Sequence, residues 1–211
     1  MSDAKERPQP VRNGLLTIDE AIAYGGKLFD TSADFDAALD HVLVLLEDAA
    51  TLFERRSFGS SVFLSITALE EISKAHVGIF RRDNPGPKPK GGDPFRNHRA
   101  KHSMAILESV FMTERIIEAL GRERADALYS EAQTTGFTTV REAALYCARG
   151  PSGFESPKIA IAPHRAWEFV ILAIETADDA LVGCTTHSYR VGKSFDALFE
   201  RVLARQPGDE A

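Results

Sequence analysis

Between Thr17 and Arg205 the apolar positions recur at three- and four-residue spacing, and no stretch alternates with period two for long enough to demand a sheet. The pattern predicts an all-α chain. A first helix is expected from Thr17, whose hydroxyl would cap while Glu20 reaches back, and it should end near Gly25-Gly26. A second opens at Ser32 to Asp34 and runs to Arg56, with Leu39, Val42, Leu43, Leu46, Ala49, Ala50 and Phe53 forming one apolar face. Ser57 to Gly59 breaks it. The third element, Ser60 to Phe80, carries no charge in its first half, so it lacks a solvent face and should be the central helix of a bundle.

Three prolines and three glycines between Arg82 and Asp93 predict a loop, closed by Asp93 as a cap and Pro94 at the first position of a fourth helix that reaches Leu120. A short helix follows over Arg122 to Ala132. Residues 133–163 are weakly patterned around one short piece, REAALYCA. A helix from Pro163 to Cys184 holds Trp167 as a core residue, and Ser194 is expected to cap a final one, FDALFERVLAR. The polar, Pro-bearing residues 1–16 read as a flexible arm, 17–205 as a single helical domain and 206–211 as a flexible tail.

Composition narrows the function more than the fold. A formal net charge of −6 speaks against coating nucleic acid by general electrostatics and leaves room for a local basic patch. Two cysteines, Cys147 and Cys184, do not make a disulfide framework, so a reducing compartment is expected. The N-terminal residues lack the apolar run of a secretory signal, and no run of eighteen apolar residues occurs, so a cytoplasmic protein without membrane contact is expected. Neither a GxGxxG nor a P-loop is present, and no cofactor is expected.

Charge enters the third helix abruptly, with Glu70, Glu71 and Lys74 amid Ile66, Leu69, Ile72 and Val77. On a helix the lysine lies one turn from both carboxylates, which reads either as a surface pair marking where the helix meets water or as a held polar cluster. Charges in apolar surroundings must be paired and hydrogen-bonded, and groups held that way cluster at functional sites. The following helix offers partners: His98, Lys101 and His102 share a face, and an antiparallel hairpin would bring them near the carboxylates. From Arg81 to His102, seven basic residues (Arg81, Arg82, Lys88, Lys90, Arg96, Arg99 and Lys101) stand against Asp83 and Asp93, which predicts an anion-binding patch. His98 or His102 could take a proton from a ribose 2′-hydroxyl while Arg96 or Arg99 clamps the phosphate, a ribonuclease chemistry needing no metal. Zinc on the two histidines would need a third ligand that no spacing supplies. Replacing either histidine with alanine is expected to leave folding intact.

The stretch LLEDAATLFERRSFGSSVFLSITALEEISKAH resembles the central signature of the AbiV abortive-infection family, with Glu70, Glu71 and Lys74 as its Glu-Glu-x-x-Lys. His98 and Lys101 match the family's His-x-x-Lys, and Arg141, Leu145, Tyr146 and Pro157 match its Arg-x-x-x-Leu-Tyr and following proline. The resemblance covers about residues 40–160 and implies a HEPN-like antiparallel helical bundle with additional C-terminal helices, often a homodimer with its groove at the subunit interface. HEPN nucleases carry Arg-x4-6-His, which Arg96 and His102 match. The resemblance implies an antiphage factor that arrests translation or growth. Its candidate catalytic residues are His98, His102, Arg96, Lys101, Glu70, Glu71 and Lys74, with Arg81, Arg82 and Arg99 binding RNA. The alternative is a non-catalytic helical module that binds a phage or host protein.

Overall fold

In a computed structural model, which describes residues 13–83, 90–112, 114–150 and 153–208, the first helix, α1 (Gly14–Tyr24), starts where the Asn13 side chain accepts from the Leu15 N–H at 2.9 Å. It opens three residues before the expected Thr17, because Asn13 is the capping group and the Thr17 hydroxyl instead donates back to the Asn13 carbonyl at 3.1 Å. The last four residues of the expected arm, Asn13 to Leu16, therefore belong to the cap and first turn of α1. Residues 1–12 and the tail from 209, like Lys88, lie outside the described residues.

Helix α2 (Ser32–Glu54) opens on a capping box in which Thr31 and Asp34 satisfy each other's backbone N–H groups. Arg56, with φ of 61°, reverses the chain, and α3 (Phe58–Gly78) returns antiparallel to α2. The break, Arg55 to Ser57, thus falls two residues before the expected position. Gly59 lies inside α3, where a side chain would collide with the Ala144 carbonyl and Pro157, each 2.8 Å from an added Cβ. The uncharged half of α3 is mostly buried, with Ser60 exposed, and its buried hydroxyls are satisfied internally: Ser61 donates to the Ala49 carbonyl at 2.8 Å and Ser65 to the Ser61 carbonyl at 2.9 Å.

The expected single helix from Pro94 to Leu120 is broken into pieces. A 3-10 turn (Pro94–Arg96) precedes α4 (His98–Ala105), and a second (Glu108–Phe111) precedes α5 (Glu114–Leu120). Every residue from Ala100 to Ile106 is buried, so α4 is enclosed beyond its first two residues, and Gln133 caps its exit by donating to the carbonyls of Ser103 (3.2 Å) and Ile106 (2.7 Å). Then follow α6 (Arg122–Thr134), α7 (Thr138–Leu145), a hairpin of β1 (Ala148–Gly150) and β2 (Gly153–Glu155), and α8 (Pro157–Ala160). The weakly patterned stretch is therefore more regular than its sequence suggests.

Helix α9 (Pro163–Leu181) shares the centre with α3: Ala166 to Ala177 are all buried, and Trp167 donates to the Val202 carbonyl at 3.1 Å. Helix α10 (Thr186–Leu203) is capped by Thr185, not Ser194. Gly192-Lys193-Ser194 does not interrupt it, because Gly192 packs against Val182 where a larger residue would crowd the contact. The architecture is all-α, with one hairpin of two three-residue strands among the described residues. Among the described residues, no helix is long and apolar enough to cross a membrane.

Candidate functional site

Glu70 is the hub. Its side chain is 6% exposed, on the face of α3 turned to α4, and its two oxygens collect three donors from one helix. Oε1 lies 2.6 Å from His98 Nδ1 and 3.1 Å from His102 Nε2, while Oε2 pairs with Lys101 Nζ. Arg141 of α7 adds its Nε at 3.7 Å from Oε1, its guanidinium lying over the Phe63 ring. Positions 98, 101 and 102 meet one carboxylate because steps of three and four return to one helix face. Burial alone would raise the Glu70 pKa, but the hydrogen bonds from His102, Lys101 and His98 outweigh it and hold the carboxyl down at about 2. At neutral pH Glu70 is an anion that can only accept.

The two histidines differ in depth and therefore in chemistry. His102 is fully buried, and the Phe137 N–H donates to its Nδ1 at 3.0 Å. A backbone N–H cannot accept, so Nδ1 carries no proton and Nε2 donates to Glu70. Burial lowers the His102 pKa against the opposing pull of Glu70, consistent with this neutral tautomer. Both nitrogens are occupied, so His102 orients Glu70. His98 has a side chain 47% exposed and donates Nδ1–H to Glu70, leaving Nε2 to face whatever enters.

The turn between α6 and α7 makes this possible. Gly136 has φ of 63°, and a Cβ there would sit 3.0 Å from His102 Nδ1 and 3.2 Å from the Arg99 backbone. Only glycine allows the turn to approach closely enough for the Phe137 N–H to reach the imidazole. Phe137 is itself fully buried against His102 and Phe169. Sequence reasoning missed Gly136, Phe137 and Gln133. The available signal was one large apolar residue inside the polar turn QTTGFTT.

The other expected residues divide. Lys74 pairs with Glu71 at 2.5 Å, both about 30% exposed, and neither joins the Glu70 cluster, so the expected lysine between two carboxylates is replaced by two separate pairs. Adjacent residues on a helix point about 100° apart, which sends Glu71 outward when Glu70 faces α4. Arg81 is buried: Nε donates to the Ala21 carbonyl at 3.0 Å, Nη2 meets Asp93 at 2.9 Å, and its guanidinium lies over Phe95. It ties α1 to the loop's far end and is not placed to bind RNA. Arg82 is exposed and bonds the carbonyls of Ile79 and Arg81. Arg96 is exposed on the 3-10 turn, and Arg99 packs against Gly136. Since His102 is sealed inside, Arg96 and His102 do not form a shared exposed pair. Tyr146 is 60% exposed after α7, and Pro157 starts α8 against Gly59.

A second buried carboxylate, Glu168 of α9, is held in the same manner. Arg124 donates to both of its oxygens at 2.5 and 2.6 Å, and Arg165 adds 3.1 Å while also pairing with Glu131. This network joins α6 to α9; the half-exposed His164 brings its Nε2 to 3.6 Å from Glu168 Oε1, beyond the reach of the 2.6 Å bond that orients His98 on Glu70. Among the described residues, no group of three His, Cys, Asp or Glu side chains is arranged to hold a metal ion.

Comparison with known proteins places this geometry in a family context. The family model HEPN_AbiV, described as AbiV, matches residues 33–176, about two thirds of the chain, from α2 through most of α9. No curated protein and no solved structure matches.

Proposed function

Because the chain belongs to the AbiV family of the HEPN superfamily, and so to abortive-infection defence, we propose that it arrests the infected cell as an endoribonuclease whose proton acceptor is His98. The observation that carries the reading is a half-exposed imidazole bonded through Nδ1 to a buried, ionised carboxylate. Glu70 fixes the ring, holds the proton on Nδ1 and leaves the Nε2 lone pair outward, the orienting role a carboxylate plays for histidine in hydrolytic triads.

In the proposed reaction, Nε2 removes the proton of a ribose 2′-hydroxyl. The resulting oxygen attacks the adjacent phosphorus, the bond to the 5′-oxygen breaks, and that oxygen leaves with a proton from water. The products are a 2′,3′-cyclic phosphate and a 5′-hydroxyl end. The imidazolium formed on His98 is stabilised by Glu70. Lys101 neutralises the other oxygen of Glu70, which leaves Arg141, 3.7 Å from Oε1, and the exposed Arg96 to attract the phosphate at this end of the bundle. Water supplies the proton of the leaving oxygen, and groups of the chain fill the other roles.

The test is incubation of the full-length protein with total RNA in excess chelator, wild type beside His98→Ala, with mapping of the cleaved ends. Cyclic phosphate ends from the wild type and their loss in the variant are expected. Equal arrest of translation by the two proteins would instead assign the effect to binding of a phage or host protein.

A further inference from the structure

A cavity of about 350 Å³ lies between α1 and the turn ahead of α4, lined by Glu20, Tyr24, Gly91, Gly92, Arg96 and Asn97 among others. Its volume is in the range of small-molecule sites, roughly 300–1,000 Å³. Asn97 immediately precedes His98, so the cavity and the proposed proton acceptor occupy the same end of α4. We propose that this cavity is a base pocket for RNA and that it selects guanine. The proposal rests on the reading of His98 as acting on RNA.

Charge separates the occupant from the phosphate. Arg96 stands at the cavity's edge, but two carboxylates, Glu20 and Asp93, also line it, and they repel a phosphate. Asp93 is engaged, accepting from Arg81 at 2.9 Å and from the Phe95 N–H at 3.0 Å. Glu20 is the exposed carboxylate of the two. An uncharged ring that presents hydrogen-bond donors suits such a wall.

Guanine matches the groups on offer. Its Watson–Crick edge carries two adjacent donors, N1–H and the 2-amino group, which together fit one carboxylate, beside an acceptor, O6. Adenine and cytosine put a ring acceptor next to their single amino donor, and uracil flanks its N–H with two acceptors. Glu20 supplies the carboxylate. Asn97 uses its Oδ1 to cap α4 at the Ala100 N–H, 3.0 Å, so the end of its side chain that remains is the amide NH2, a donor for O6. Tyr24 supplies an aromatic face, with the Arg81 guanidinium 5.9 Å from its ring centroid. Single-stranded RNA is read in this manner, by stacking on aromatics and bonding to base edges. Gly91 and Gly92 also line the cavity and add no side chain to it.

The experiment titrates full-length His98→Ala protein, in chelator, with fluorescently labelled pentaribonucleotides UUGUU and UUUUU, read by anisotropy. The guanine pentamer should bind about tenfold more tightly, the scale of one stacked base. Adding Glu20→Gln or Tyr24→Ala should bring the ratio of the two affinities close to one. Circular dichroism melts will show that these variants remain folded. Equal affinity for the two pentamers, or a ratio that neither substitution changes, overturns the proposal. Cleavage of RNA by the wild type without guanine preference overturns it while leaving the nuclease reading standing. Guanine-selective binding without any cleavage supports the pocket and removes the nuclease.

Discussion

Nδ1 of His98 lies 2.6 Å from Oε1 of Glu70, across the contact between α3 and α4, and joins a half-exposed ring to an almost fully buried carboxylate. In the proposed mechanism that difference in depth separates the roles: Glu70 holds, His98 reacts.

His98→Ala should therefore remove function without unfolding the chain. Its ring is half-exposed and Glu70 keeps Lys101 and His102 as partners, so a melting temperature within a few degrees of wild type is expected. Loss of the proton acceptor should lower the rate of RNA cleavage by about 10²- to 10⁴-fold. Parallel thermal melts and initial rates on one RNA substrate check both halves.

His102→Ala is the opposite case. Removing a fully buried imidazole leaves a cavity, strips Glu70 of one donor and orphans the Phe137 N–H. A destabilisation of roughly 3 kcal/mol is expected from urea unfolding. This corrects the sequence-based expectation that either histidine could be replaced with folding intact. Nitrogen-15 NMR of the wild type should show His102 as the neutral tautomer with its proton on Nε2.

Gly136→Ala tests the turn that sets this tautomer. The residue has φ of 63°, costly for any side chain by about 1–2 kcal/mol, and its new methyl group would press on His102. Lower stability and slower cleavage are expected together. A stability equal to wild type would show that the turn does not hold the imidazole.

Acid should weaken the fold through the Glu70 cluster. The carboxyl titrates near 2 in the folded chain against an ordinary 4.5, because its hydrogen bonds outweigh burial, so the stability it contributes is full above pH 4.5 and is lost as pH falls towards 2. Its magnitude is roughly 2–3 kcal/mol. His102, also depressed, adds a loss that begins below pH 6.5 as the unfolded chain takes up its proton. Asp178 works in the other direction: burial and Glu175 push it up to about 6, so it contributes stability as pH falls from 6 to 3.8. The difference between wild type and Glu70→Gln isolates the cluster, and it should shrink between pH 4.5 and pH 2 in urea titrations.

Glu71→Gln combined with Lys74→Met should change stability by no more than about 0.5 kcal/mol, the scale of a partly exposed pair. Cleavage by this double variant should match wild type. A large loss of activity would mean that the pair touches substrate.

Much of this was legible along the chain, and the reasons are local. The apolar face of α2 and the chargeless half of α3 each repeat at helical spacing, and a repeat of that kind depends on neighbours within a few residues. His98, Lys101 and His102 share a face for the same reason, whatever that face meets. The fourth helix read as continuous because MAILESVFM keeps helical spacing through Ile106, where the chain in fact turns under the hold of Gln133. Ser194 is a residue type that caps helices, yet α10 runs through it from Thr185, and Gly192 just before it serves a close helix contact.

Residue types and their order were thus enough to establish an all-α chain, a family signature and a face of imidazole and ammonium groups. Which carboxylate meets that face, which histidine is sealed and which is open depended on the α3–α4 register and on the α6–α7 turn. Both are contacts between segments some thirty residues apart, and short-range periodicity carries no information about rotation of one helix against another. A rotation of about 100° would exchange Glu70 for Glu71, and packing of the completed bundle selects between them.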